Sequence, residues 1–136
     1  MMTYRMSEVI LPRPCNGPVY DDWKIGEWML KVCEECGEAV TALKLTQKAA
    51  IEYGNFVRGL KLDEMNEAKK AKAEAYYDDL LDAKRNLCLE LTDIITAATS
   101  MLDVIGVDEA GRQMYQRIIN DRNGRRDGGR RFRKGE

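Results

Sequence analysis

Two pairs of carboxylates, each spaced i, i+3, carry the chemistry this sequence offers. Glu35 and Glu38 stand in Cys33-Glu34-Glu35-Cys36-Gly37-Glu38, with Glu34 beside them. Glu90 and Asp93 stand in Glu90-Leu91-Thr92-Asp93. Both stretches read as helix, and the spacing puts each pair on one helical face. Gathered acids repel, so a fold gains little from collecting them unless positive charge lies between them. A hard divalent cation fits that place, because Mg²⁺ takes oxygen ligands and commonly bridges carboxylates to phosphate oxygens. The indicated chemistry is metal-assisted reaction at phosphate, with Mg²⁺ as cofactor and Mn²⁺ able to substitute.

Composition narrows who else can take part. The chain has no His, which removes the commonest general base and the commonest transition-metal ligand. Acid–base work falls to carboxylates, Lys, Tyr and Cys. Four Cys are too few for a disulfide scaffold at this length, so a reducing, cytoplasmic setting is expected. No basic-then-apolar leader stands at Met1–Val9, and no apolar run reaches the length of a membrane span. The net charge of −1 does not mark the chain as a polyanion binder.

These acids need elements to hold them, and the expected architecture is all-α in a single domain, residues 1–136. Residues 1–20, with Pro12, Pro14, Pro18 and Asn16-Gly17, are expected to be irregular. Asp21 or Asp22 is a candidate N-cap for a helix over Trp23–Leu45. Its apolar stripe is Ile25, Trp28, Met29, Val32, Cys36, Val40 and Leu43, with Glu35 and Glu38 on one flank. A shorter helix is expected over Gln47–Val57. From Leu62 to Ile105 there is neither Gly nor Pro. One helix over that stretch would be about 65 Å long, so a break near Asp78–Asn86 or a protruding helical arm is expected. The stripe Leu87, Leu91, Ile94, Ala98, Met101, Leu102 and Ile105 has Glu90 and Asp93 on its matching flank. Packing the two stripes together would bring the four carboxylates toward one another at the edge of the core. Gly106 should end this helix, and Asp108 should cap a last one through about Ile119.

Other features have competing readings. Cys33 and Cys36 have a CxxC spacing, but zinc lacks further soft ligands and a thioredoxin-like site lacks its strand. Small core fillers are the expected role. Trp23 and Trp28 read first as core, with Trp28 a candidate for stacking on a base. The tail at 120–136, rich in Arg and Gly, reads as a solvated end, as a clamp on phosphates, or as a nucleic-acid contact. A ferritin-like di-iron centre would need Glu-x-x-His motifs, which a chain without His cannot supply.

The residues around the acids carry a resemblance. Lys31-Val-Cys-Glu-Glu-Cys-Gly-Glu-Ala-Val and Glu90-Leu-Thr-Asp-Ile-Ile-Thr-Ala-Ala resemble the EExxE and ExxD motifs of the MazG-like nucleoside triphosphate pyrophosphohydrolases, a superfamily that includes the dimeric dUTPases and dCTP pyrophosphatases. The resemblance spans roughly Lys24 to Arg126 and implies a helical bundle completed by assembly into a homodimer or homotetramer. It also implies cleavage of a nucleoside triphosphate between the α and β phosphates. On that pattern Glu35, Glu38, Glu90 and Asp93 hold metal, and Glu34 orients a water or a further ion. Arg117, Asn120, Arg122, Asn123 and Arg126 are the candidates for phosphate contact. The stretch between the acidic helices, 47–85, is longer than in compact members and reads as a helical insertion. The competing class is a helical interaction protein that uses its Arg-rich tail on nucleic acid, the less favoured reading for a chain of this charge.

Overall fold

The structure, a computed structural model, describes residues 10–60 and 66–132. Met1–Val9, the first residues of the Leu62 stretch, and Arg133 and Lys134 of the tail lie outside the described residues. The fold is all-helical: α1 spans Ile25–Arg58, α2 Glu67–Ile105 and α3 Glu109–Arg125. Irregular chain and a short 3₁₀ turn at Pro18–Tyr20 precede α1. Among the described residues no helix is long and apolar enough to cross a membrane.

Helix α1 is one element where the sequence suggested two. Nothing at Leu45–Gln47 interrupts the ladder, and Thr46 Oγ1 is 2.8 Å from Ala42 O and 3.2 Å from Ala83 O across the helix pair. Gly54, the residue that argued against continuity, costs about 1 kcal/mol in a helix. Packing on α2 along the whole length outweighs that cost. The start also differs. Lys24 holds the N-cap position, and its N–H donates to Glu27 Oε2 at 3.1 Å. Asp21 and Asp22 are used up in the preceding turn, where Asp21 N–H donates to Pro18 O and Trp23 N–H to Tyr20 O.

Helix α2 runs through Asp78–Asn86 without a break and is about 58 Å long at 1.5 Å per residue. It can be that long because α1 lies antiparallel along it. Tyr53 meets Tyr77, Phe56 meets Tyr76, and Thr46 meets Ala83, so each step up one helix matches a step down the other. The expected break at Asp78–Asn86 is absent. The 47–85 stretch forms the distal halves of the same two helices rather than a separate unit. The expected stops are present: Gly106 takes φ 99° at the end of α2, and Asp108 Oδ1 accepts from Gly111 N–H at 2.9 Å to open α3. Helix α3 continues past Ile119 to Arg125, so Asn120, Arg122 and Asn123 are helical rather than tail.

The core between α1 and α2 is narrow. Among the described residues its buried apolar side chains are Trp28, Ala39, Ala42, Leu80 and Ala97. The alanines let the two backbones come close. Most of the stripe expected to fill the core does not: Ile25, Met29, Cys36, Val40 and Leu43 are exposed. The side of α1 that meets α2 lies about a third of a turn away and is built from Trp28, Glu35, Ala39 and Ala42. Trp28 packs with Tyr20 and Trp23, ring centroids 4.9 and 4.7 Å away, and pins the entry to α1. Farther along α2, Ser100 is buried, donates to Thr96 O at 2.8 Å and accepts from Cys15 N–H at 2.8 Å. That pair ties the N-terminal segment across α2.

Candidate metal centre

The antiparallel register decides what Glu35 faces. It lies on the contact side of α1, two turns after Trp28, and is 6 % exposed. Its Oε1 is 3.1 Å from Lys31 Nζ, one turn earlier on the same helix. Its other oxygen is buried and has no hydrogen-bond partner. Across the interface, Glu90 Oε2 is also buried and unpartnered. Carboxylate oxygens of Glu35, Glu90 and Asp93 lie within 4.8 Å of one another. An octahedral Mg²⁺ with ligands at about 2.1 Å holds oxygens from about 3 to about 4.2 Å apart.

Glu38 stands at the exposed rim, one turn after Glu35. Its carboxyl is raised above the ordinary glutamate value, first by the negative charge of Glu35 and then by a hydrogen bond with Glu90. Two carboxylates within hydrogen-bonding reach share a proton when no cation separates them. Lys31 is raised in turn, chiefly by its hydrogen bond to Glu35, with further support from Glu34. Lys31 pairs with Glu35 and Glu34 only, and Glu35, Glu90 and Asp93 together present two orphaned oxygens. That donor set and charge deficit suit a hard divalent ion, all oxygen and no soft ligand.

Of the acids singled out in the sequence, Glu35, Glu38, Glu90 and Asp93 converge. Glu34 does not. Its side chain is 59 % exposed and 3.6 Å from Lys31, and its carboxylate is not among the clustered ones. Trp28, a candidate base contact, is 2 % exposed with its ring held by Tyr20 and Trp23, which leaves no face for a base. Cys33 and Cys36 are exposed instead of filling the core, because they point to the flank of α1 away from α2. No family model, curated protein or solved structure matches the chain.

The basic and amide candidates divide between two concavities. Arg117 and Asn120 line a groove of about 550 Å³ between α3 and the end of α2, closed on one side by Leu11 and Pro12. Arg122 and Arg126 line a second one of about 390 Å³, next to Arg125, which is held by Asp121 at 2.6 Å. Asn123 is half-buried on α3. Lys31 is the residue that sequence reasoning passed over. Its i, i+4 spacing to Glu35 was the available signal, but such pairs are common on helix surfaces and mark a site only when the acid turns out to be buried.

Proposed function

We propose that this chain is an Mg²⁺-dependent nucleoside triphosphate pyrophosphohydrolase of the MazG-like kind, releasing a nucleoside monophosphate and pyrophosphate from a ribo- or deoxyribonucleoside triphosphate. Its role would be control or house-cleaning of the nucleotide pool. One observation carries the reading: a buried glutamate, Glu35, has an unpartnered oxygen, and its carboxylate lies beside two further acids on the facing helix. A purely structural acid in that position would have its second oxygen satisfied.

In this reading Glu35, Glu90 and Asp93 hold the ion, with Glu38 at the rim as a fourth ligand or proton acceptor. A divalent ion bound there supplies charge neutralisation of the phosphate oxygens and a more acidic water. Water adds to the α phosphorus, the bond from that phosphorus to the oxygen bridging to the β phosphate breaks, and pyrophosphate leaves. Glu38, exposed at the rim beside the other acids, is placed to receive the water's proton. Lys31 holds one oxygen of Glu35 in an ion pair at 3.1 Å. Arg117 and Asn120 on the groove wall, and Arg122 or Arg126 at the end of α3, are the candidates for phosphate contact that the resemblance implies; neither concavity is lined by an acid of the cluster. The same resemblance implies a homodimer or homotetramer.

The test is pyrophosphate release from a panel of eight ribo- and deoxyribonucleoside triphosphates, with Mg²⁺, with Mn²⁺ and with excess chelator. Metal-dependent release from at least one substrate is expected. No release from any of them, together with salt-sensitive binding of RNA or DNA, would replace the hydrolase reading by that of a nucleic-acid-binding helical protein.

A further inference from the structure

We infer that Cys33 and Cys36 are a thiol–disulfide modification site, closed by exchange with a low-molecular-weight disulfide such as oxidised glutathione, and that closing it loosens the helical turn that seats Glu35. The inference rests on the two thiols and their place on α1; only its consequence for a bound cation uses the metal reading. Both thiols are exposed, so the CxxC spacing is not spent on core packing. Among the described residues the group that could hold an ion is Glu35, Glu90 and Asp93, and neither thiol belongs to it. At about 100° per residue Cys33 lies about 160° and Cys36 about 100° round α1 from Glu35. The thiols therefore share the side away from α2, about 60° apart, while the glutamate between them in sequence is buried on the contact side.

Helix geometry allows the bond and makes it costly to the helix. Residues three apart on a regular helix have Cα atoms about 5 Å apart. A disulfide spans Cα separations of about 4.4–6.8 Å. The corresponding Cβ atoms are about 5–6 Å apart on the helix, whereas a disulfide needs them at about 3.5–4.5 Å. Closing the bond thus draws the two Cβ atoms together by at least about 0.5 Å and commonly more than about 1 Å. The turn over Cys33–Cys36 has to give, and the next residue lets it. Gly37 has no neighbouring atom within 4 Å of where a Cβ would stand, and glycine is the weakest helix former after proline. Glu35 lies inside the deformed turn. Its ion pair with Lys31 at 3.1 Å and its closeness to Glu90 and Asp93 both depend on the regular helix. A strained bond of this kind is readily reduced, which suits a reversible site rather than a structural staple.

The step balances with the disulfide as oxidant. The sulfur of one cysteine, as thiolate, attacks a sulfur of oxidised glutathione; that S–S bond breaks, one glutathione leaves, and a mixed disulfide remains on the protein. The second cysteine attacks the protein sulfur of the mixed disulfide and expels the other glutathione. Two electrons pass from the two cysteines to the oxidant, and the two cysteine protons end on two glutathione thiols. Cys88 and the half-buried Cys15 have no second cysteine one turn away in sequence and stop at the mixed disulfide.

The experiment equilibrates the full chain in glutathione buffers from reduced to oxidised, then maps its thiols and disulfides by alkylation and mass spectrometry. Amide hydrogen exchange is followed in the peptide spanning Glu34–Glu38, together with the Mg²⁺ concentration that gives half of the Mg²⁺-induced rise in Tm. Cys33→Ser, Cys36→Ser and Cys88→Ser are the comparison variants, all at exposed positions. The expected results are a Cys33–Cys36 bond in the oxidised protein, exchange over 34–38 at least tenfold faster, and a Mg²⁺ demand at least tenfold higher, all restored by reduction. Cys33→Ser and Cys36→Ser should each keep slow exchange in the same buffers, and Cys88→Ser should behave as the parent. Glutathione adducts alone, a Cys36–Cys88 bond, or a Cys33–Cys36 bond with exchange unchanged would overturn the inference. So would an unchanged Mg²⁺ demand in a protein whose reduced form responds to Mg²⁺. If the reduced protein shows no Mg²⁺ response, the metal reading fails by itself, and bond mapping with hydrogen exchange still decides this inference. Should a serine variant fail to fold, oxidation and re-reduction of the parent decide it alone.

Discussion

Glu90→Gln is expected to reverse its effect on stability according to whether Mg²⁺ is present. Glu35 and Glu90 bring carboxylate oxygens within 4.8 Å across the helix interface, and each has one oxygen buried and unpartnered. Two unit charges at that separation repel by about 3.5 kcal/mol at an effective dielectric constant of ~20. Lys31 on the far oxygen of Glu35 and solvent at the rim reduce the net effect to about 1 kcal/mol. A glutamine keeps the volume, removes one charge, and can donate from its amide to the orphaned oxygen of Glu35. In chelator the variant should therefore melt as high as the parent or a few degrees higher. With Mg²⁺ at about a hundred times its Kd, the parent gains about 2.7 kcal/mol by linkage. For a chain of this size that is on the order of 10 °C in Tm. The variant, short of one ligand, should gain little. Thermal melts by circular dichroism, each protein with chelator and with Mg²⁺, give the four numbers required. A variant that is destabilised in chelator and responds to Mg²⁺ as the parent does would mean that the acids are not a cation site.

Other outcomes follow from the same geometry. Glu38→Gln and Asp93→Asn should each reduce pyrophosphate release at least a hundredfold with far-UV circular dichroism unchanged, since both side chains lie at the solvated rim; wild-type rates in both would remove the cluster from catalysis. Glu38 has a folded-state pKa above its unfolded value near 4.5, so its contribution to stability is present below that value and is lost as pH rises through the raised one. Metal-free protein should thus lose stability over that window while the Mg²⁺-induced rise in Tm grows, because protons and metal compete for the same oxygens; parallel melts across the window check both slopes. Gly106→Ala should cost about 1–2 kcal/mol in denaturant unfolding, because the residue sits at φ 99°, where a Cβ is strained whatever the surrounding space.

The sequence by itself determined the local terms. An i, i+3 spacing on a helix puts Glu35 with Glu38 and Glu90 with Asp93 whatever the rest of the chain does. Gly106 and Asp108 mark a stop and a start because a left-handed backbone and an unpaired helix N-terminus demand those residue types. What only the tertiary structure decided was which side of each helix faces its neighbour. Helix α1 has a large-aliphatic sector at Ile25, Met29, Val40 and Leu43 and another sector, with Trp28, Glu35, Ala39 and Ala42, that holds no large aliphatic, and periodicity finds the first more readily. Close antiparallel packing selects the second, since alanines permit the approach and α2 runs alongside for the whole length. That choice buries Glu35 opposite Glu90, gives Lys31 its role, and leaves Cys33 and Cys36 outside. It also removes the expected breaks at Leu45 and at Asp78–Asn86, because each helix is held straight by the other. Spacing along one helix is a local property, whereas the register between two helices is set by the sum of contacts along both.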